Sequence, residues 1–228
     1  TIRFSVWYKN GENTYESVTN YLNAGTYYVK AVIDGSADYE YTESTAVFFT
    51  ISKKAIEVPT LDGNSVYKHG ADVTSDISGY DQTVMYISGS NVTVDSDEER
   101  YYISAVNAGS YFIRITLSDT RNYEWSDGLA ESVRTLTWKV SPFEVKAPVI
   151  ETGFETDYCA AVVKLDYTDS EHKQYYMVTG DLSATNAGEY EAVAVLKNKS
   201  NYIWQSDTAE NGTSNDIVVT WTIRQAAN

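Results

Sequence analysis

The sequence predicts an all-β protein, a set of small β-sandwich modules in tandem, on three observations: its residue preferences, the alternation of its apolar segments, and an internal repeat. The 228 residues include 20 Tyr, 5 Trp and 6 Phe against 3 Pro, with 43% hydrophobic and 14% aromatic side chains. Tyr, Val, Thr and Ile suit pleated, half-buried surfaces, and no segment reads as a good helix. That much apolar surface builds a core and excludes an intrinsically disordered chain.

The repeat sets the domain organisation. Asn23-Ala24-Gly25-Thr26-Tyr27 returns as Asn107-Ala108-Gly109-Ser110-Tyr111 and as Asn186-Ala187-Gly188-Glu189-Tyr190, spaced 84 and then 79 residues apart. Twelve residues after each motif tyrosine stands another, Tyr39 in DYEY, Tyr123 in NYEW and Tyr202 in NYIW. Each copy closes on an apolar strand carrying Phe49, Trp138 or Trp221 at the matching place. The gap before that aromatic grows from 10 to 15 to 19 residues, the mark of a loop that tolerates insertion. Three segments follow: 1–52, holding only the later strands of a unit, then 53–140 and 141–228, each complete. A unit without its opening strands leaves an unpaired sheet edge, so the chain is expected to be a fragment of a longer array. The junctions at Ser52-Lys53-Lys54 and Val140-Ser141-Pro142 have no Gly/Ser-rich linker, which predicts an elongated, semi-rigid, monomeric rod.

Within the second segment, apolar alternations at 55–58, 84–88, 92–94, 100–106, 110–117 and 133–140 are separated by Gly, Asn, Asp and Ser clusters. Six or seven short strands in about 88 residues match a small sandwich. After the motif, Tyr111, Ile113, Ile115 and Leu117 share one face, while Phe112, Arg114 and Thr116 share the other. Such period-two patterning marks a half-buried strand. The motif itself has a mechanical reading. In immunoglobulin-type sandwiches a tyrosine at the start of strand F, two residues before the core cysteine, folds back to bond upstream backbone. Tyr27, Tyr111 and Tyr190 are expected to be such structural tyrosine corners, with Val29, Ile113 and Ala192 in the cysteine's place. The preceding glycines are expected to adopt positive φ.

The order of these elements resembles that of bacterial immunoglobulin-like surface repeats. The residues that carry the resemblance are the prolyl opening strands (Val58-Pro59, Ala147-Pro148), Gly79-Tyr80-Asp81 with Met85 and Gly89, the NAGxY motif, Asn122 to Gly128, and the closing strands. The third segment departs from it, with Leu165-Asp166-Tyr167 in place of the GYD triplet and a longer loop after Trp204. The resemblance implies tandem immunoglobulin-like modules on the surface of a bacterium or secreted from it. It further implies a stalk or adhesin role without catalysis, and it implies no ligand.

Charge and titratable groups narrow the function. With 32 acidic and 17 basic side chains the net charge is −15, which repels nucleic-acid backbones. No apolar window is long enough to insert into a membrane. Cys159 is the single cysteine, so no internal disulfide forms, and with His69 and His172 it offers no zinc spacing. The histidines are expected in exposed loops at unrelated places, and Cys159 as a small buried residue at a strand start. No nucleophile, metal-protease or phosphate-loop motif occurs, so neither catalytic residues nor a cofactor are expected and the chain is not expected to be an enzyme. The run Asp95 to Glu99 lacks the spacing of a dedicated calcium loop and reads as a solvated turn. Lys54 and Lys146 are early enough for an isopeptide, but the closing strands carry no asparagine.

Binding remains. Between Gly89 and Asn107 lie 17 residues, where the third segment has five between Gly180 and Asn186. The extra stretch reads as a hairpin on which Tyr101 and Tyr102 alternate faces, one packed on the sheet and one available to a ligand. Three functions stay open: a non-catalytic stalk, a module that captures a host protein such as an immunoglobulin, and an accessory glycan-binding module of a secreted enzyme.

Overall fold

A computed structural model of the chain describes residues 2–10, 14–20, 23–97, 100–151, 153–205 and 213–226. The alternating segments are strands throughout, and among the described residues the one helical element is a short 3-10 turn, Lys173–Tyr175. In the second segment two four-stranded sheets face each other. One is ordered Met85–Gly89, Gly109–Leu117, Val133–Ser141, Ser65–Val66, the other Thr93–Ser96, Tyr101–Ala105, Val73–Ser78, Thr60–Leu61. A short parallel ladder joins Lys54–Ile56 to Tyr123–Trp125.

Period two decides what is buried. In Gly109–Leu117, Tyr111, Ile113, Ile115 and Leu117 are buried while Phe112 and Arg114 face solvent. Across the layer they meet Val73, Ile77, Ile103 and Ala105 in one core cluster. Trp138 stands opposite Tyr111 in the ladder and is 1% exposed. The strand Val73–Ser78 escapes a purely apolar reading because its central inward position is Ser75. That side chain is buried at no cost, since its hydroxyl donates to the Asp62 carbonyl at 2.7 Å.

The third segment repeats the first of these sheets as Tyr176–Gly180, Gly188–Leu196, Ile217–Arg224 and Glu155–Asp157. Its parallel ladder, Phe143–Val145 with Tyr202–Trp204, matches Lys54–Ile56 with Tyr123–Trp125. Its second layer is reduced to two-residue ladders, Val149–Ile150 with Tyr167–Thr168 and Val163–Lys164 with Ser183–Ala184. The pairing also moves one sequence match. Ile77 and Tyr167 occupy the same ladder position, so the turn equivalent to Gly79-Tyr80-Asp81 begins at Asp169 rather than at Leu165.

Residues 2–51 form a single five-stranded sheet around Gly25–Ile33, flanked by Ile2–Lys9 on one side and by Thr42–Glu43 and Val47–Ile51 on the other. Residues opposite each other in an antiparallel ladder share a face. Ile2 and Phe4 therefore lie with Ala31, Ile33, Val47 and Phe49 on the face that is core in the second segment. Here no second sheet covers it among the described residues. Ile2 is 63% and Phe4 74% exposed, whereas Met85, at the place of Ile2, is 2% exposed.

Candidate binding surface

The three motif tyrosines adopt one geometry. Tyr27, Tyr111 and Tyr190 each donate a hydroxyl proton to the carbonyl of the asparagine four residues earlier, at 2.7, 2.6 and 2.7 Å. Each ring also packs on the closing aromatic, Phe49, Trp138 or Trp221, at 5.3, 5.5 and 4.7 Å between centroids. Two of the three motif glycines have the expected positive φ. Gly25 and Gly109 lie near the extended limit, at φ +154° and +159°, and Gly188 does not share that conformation. What recurs is room: a Cβ on Gly109 or Gly188 would touch the folded-back ring at 3.7 or 3.5 Å.

The same motif holds neighbouring copies together. Asn122 accepts the Ala24 N–H at 2.7 Å and donates its amide to Asn23 Oδ1 at 2.9 Å and Asp119 Oδ2 at 2.7 Å. Asn201, only 2% exposed, accepts the Ala108 N–H at 2.8 Å and donates to Asn107 Oδ1 at 2.9 Å. Sequence reasoning missed this clasp. Its signal was the polar residue before each second tyrosine, always 15 residues after the motif asparagine and amide-bearing where a copy precedes it.

At the second junction an aromatic cluster adds to the clasp. Tyr67 meets the edge of Tyr202 at 5.5 Å, and Tyr175 lies 5.0 Å from Tyr202 and 5.4 Å from Phe143. The two histidines, expected at unrelated places, both touch Tyr175, His69 at 5.5 Å and His172 at 5.9 Å. His69 Nδ1 hydrogen-bonds the Tyr202 hydroxyl at 2.6 Å, and His172 Nδ1 accepts the Lys146 N–H at 2.8 Å. Burial, then the neighbouring Tyr67 hydroxyl, hold the Tyr202 phenol protonated well above its usual range.

The inserted hairpin pairs Thr93–Ser96 with Tyr101–Ala105 and adds them to the edge of the second sheet. Tyr101 stands opposite buried Ile77 and packs on Tyr80 at 4.8 Å, so it belongs to the interior face. Tyr102 stands opposite Asp76 and Asp95 on the outer face, where the Arg100 guanidinium lies 5.4 Å from its ring. Arg100 donates to both Asp76 oxygens, at 2.7 and 3.0 Å, and to Asp97 at 3.0 Å. Tyr102 is thus the ring of the pair that a ligand could reach. Glu98 and Glu99 of the acidic run lie outside the described residues.

A second aromatic surface covers the outer face of the first sheet. Trp7 and Tyr28 are cross-strand neighbours with near-parallel rings 5.9 Å apart, and Tyr15 and Phe48 extend the row at 4.8 and 5.7 Å from Tyr28. Lys30 sits over Tyr28 at 5.7 Å, and Phe48 is 61% exposed. The other copies lack this row: the place of Tyr28 is taken by Phe112 and Glu191.

Cys159 corrects its expectation, being exposed rather than buried. It precedes Ala160, whose φ of +58° is a bend conformation that a strand does not adopt. Among the described residues no group of three His, Cys, Asp or Glu side chains could hold a metal ion, and no helix is long and apolar enough to cross a membrane. The shallow depressions lie along strand edges and junctions, such as the one lined by Ala24, Ile51, Asn122 and Tyr123.

No protein-family model and no curated protein matches the chain. Among solved structures it is similar to the surface layer protein SbsC, domains 1–6, at 12% identity and a TM-score of 0.28, over 100% of this chain and 35% of that one. The chain therefore spans about a third of the length of that six-domain chain.

Proposed function

We propose that the chain is a non-catalytic run of immunoglobulin-like β-sandwich modules, 1–52, 53–140 and 141–228, from a bacterial cell-surface or secreted protein, where it acts as a stalk that carries binding faces outward. The observation that carries this reading is the clasp between copies, built from the same four groups at both junctions. A contact repeated atom for atom fixes one orientation between successive modules, which suits a rod and serves no reaction. Small-angle scattering of the full chain tests it. A rod of joined modules gives a radius of gyration well above the roughly 17 Å of a compact chain of this length. A value near the compact limit would overturn the reading.

A second reading, glycan binding, is favoured by the Trp7, Tyr15, Tyr28 and Phe48 row on the outer face of the first sheet. Flat rings with a cation beside them can stack on a sugar face at little cost in side-chain entropy. Glycan-array signals that vanish in Trp7→Ala or Phe48→Ala support it, and an array without signals removes it.

A further inference from the structure

The third copy carries the parts of a junction with nothing engaged in it. Its motif residues Asn186 and Ala187 repeat Asn23-Ala24 and Asn107-Ala108 and are exposed. Among the described residues no side chain accepts the Ala187 N–H or pairs with the Asn186 amide, while its two counterparts are clasped by Asn122 and Asn201.

A second observation, from a different strand, points to the same end of the module. Ser65 stands opposite Val140 and Thr156 opposite Ile223 at the ends of the equivalent closing strands. Tyr67 and Tyr158 then occupy the same place, and each N–H donates to the last closing-strand carbonyl, Ser141 at 2.8 Å and Arg224 at 2.9 Å. Tyr67 is 9% exposed because its ring lies against Tyr202 of the next copy. Tyr158 is 42% exposed and contacts no described ring. An amide clasp and a ring contact, used together at the preceding junction, are both presented unused here.

We infer that Asn186, Ala187 and Tyr158 form a docking face for one further module of the same kind, which presents an Asn–Tyr–x–Trp turn and is joined directly to the strand ending at Arg224. The incoming asparagine accepts the Ala187 N–H and donates to Asn186 Oδ1, and the incoming tyrosine meets the Tyr158 ring. Two hydrogen bonds and one ring pair are too little to hold a separate chain against the entropy of association. A module joined through two residues, as at Ser141-Pro142, is present at a high effective concentration, so the covalent neighbour is the occupant. This inference rests on the tandem-module reading above.

The exposed Cys159, next to Tyr158, reports on the face. In the 228-residue chain the Ala108 amide proton, clasped by Asn201, should exchange slowly and Ala187 rapidly, and a thiol reagent should modify Cys159 freely. Appending a second copy of residues 142–228, or of 53–141, after Arg224 should slow Cys159 modification at least about tenfold and bring Ala187 exchange down to that of Ala108. Asn186→Ala with Tyr158→Ala in the extended chain should restore both rates. Free exchange at Ala108 in the original chain would sink the tandem-module reading itself. Protection of Ala108 there, with Cys159 and Ala187 still open in both extended chains, would overturn this inference alone.

Discussion

At the scale of single residues, Arg134 is the most consequential polar side chain. It is 9% exposed, donates to both Asp127 oxygens at 2.7 Å, donates again to the carbonyls of Leu129, Glu131 and Val133, and lies 5.5 Å from the Trp125 ring. One guanidinium thus ties down the 127–132 loop, which no backbone ladder holds. Arg134→Leu leaves these acceptors without a donor and should cost roughly 2 kcal/mol in chemical denaturation. The pair also sets a pH response. Hydrogen bonding from Arg134 lowers the Asp127 carboxyl from 3.8 to about 2, so its contribution is present in full above the unfolded value and is lost as pH falls from about 4 through 2. An acid titration of unfolding free energy should therefore drop less steeply below pH 4 in Asp127→Asn than in the parent. Tyr111→Phe tests the fold-back bond alone and should cost about 1 kcal/mol with the ring packing intact. The tyrosines could be read from sequence because their motif recurs at fixed spacing. Arg134 could not, because in sequence it is one basic residue in an alternating strand, and its partners gather only once the loop closes over Trp125.

At the scale of elements, the inserted hairpin and the junctions follow different rules. The hairpin extends a sheet edge, and its alternation separates the two tyrosines: Tyr101 opposite Ile77, Tyr102 opposite Asp76. If a protein ligand uses this edge, Tyr102→Ala should weaken capture at least about tenfold without loss of stability, since the ring lies on the outer face, off the interior packing, and a tyrosine there would serve the partner as an aromatic anchor. Unchanged capture together with unchanged melting would remove the hairpin as a binding element. The junction depends instead on Asn201. Its replacement by alanine buries an unpaired Ala108 N–H, which should destabilise by about 1–3 kcal/mol and raise exchange at Ala108 selectively. Strand positions were legible wherever apolar residues alternated, as in Gly109–Leu117. Val73–Ser78 was missed because buried Ser75 interrupts the apolar pattern, and Cys159 was misplaced because Ala160 and Ala161 look like strand neighbours while φ at Ala160 is +58°. His69 carried no local signal: its ring contacts, Tyr175 and Tyr202, lie more than a hundred positions away.

At the scale of the whole molecule, the core is unevenly distributed. Both buried apolar clusters lie within residues 67–223, and the first sheet contributes to neither. Among the described residues of 2–51 only Ala24, Tyr27 and Val32 are buried apolar positions, Ala24 being at the junction and Val32 on the outer face. Phe49 is 38% exposed where Trp138, its counterpart, is 1% exposed. Burial of apolar area is the main force opposing chain entropy, so a sheet with one bare core face has little of its own to hold it. Cross-strand hydrogen bonds and the Trp7–Tyr28 and Tyr27–Phe49 ring pairs remain, together with the Asn122 clasp. The chain should therefore unfold in two stages. Residues 2–51 should exchange their amide protons through openings of low free energy, while 53–226 hold until global unfolding. Mild urea should widen the difference by melting the first sheet before the tryptophans at 125, 138, 204 and 221 become exposed. Replacing Phe4 with a polar residue should leave the stability of that sheet nearly unchanged, because the side chain is already 74% in water, whereas the equivalent change at Ile87 should cost several-fold more. Simultaneous exchange of both regions would show that the junction alone couples the exposed sheet to the modules beyond it, and would transfer to Asn122 and Ala24 the stability that the bare face lacks.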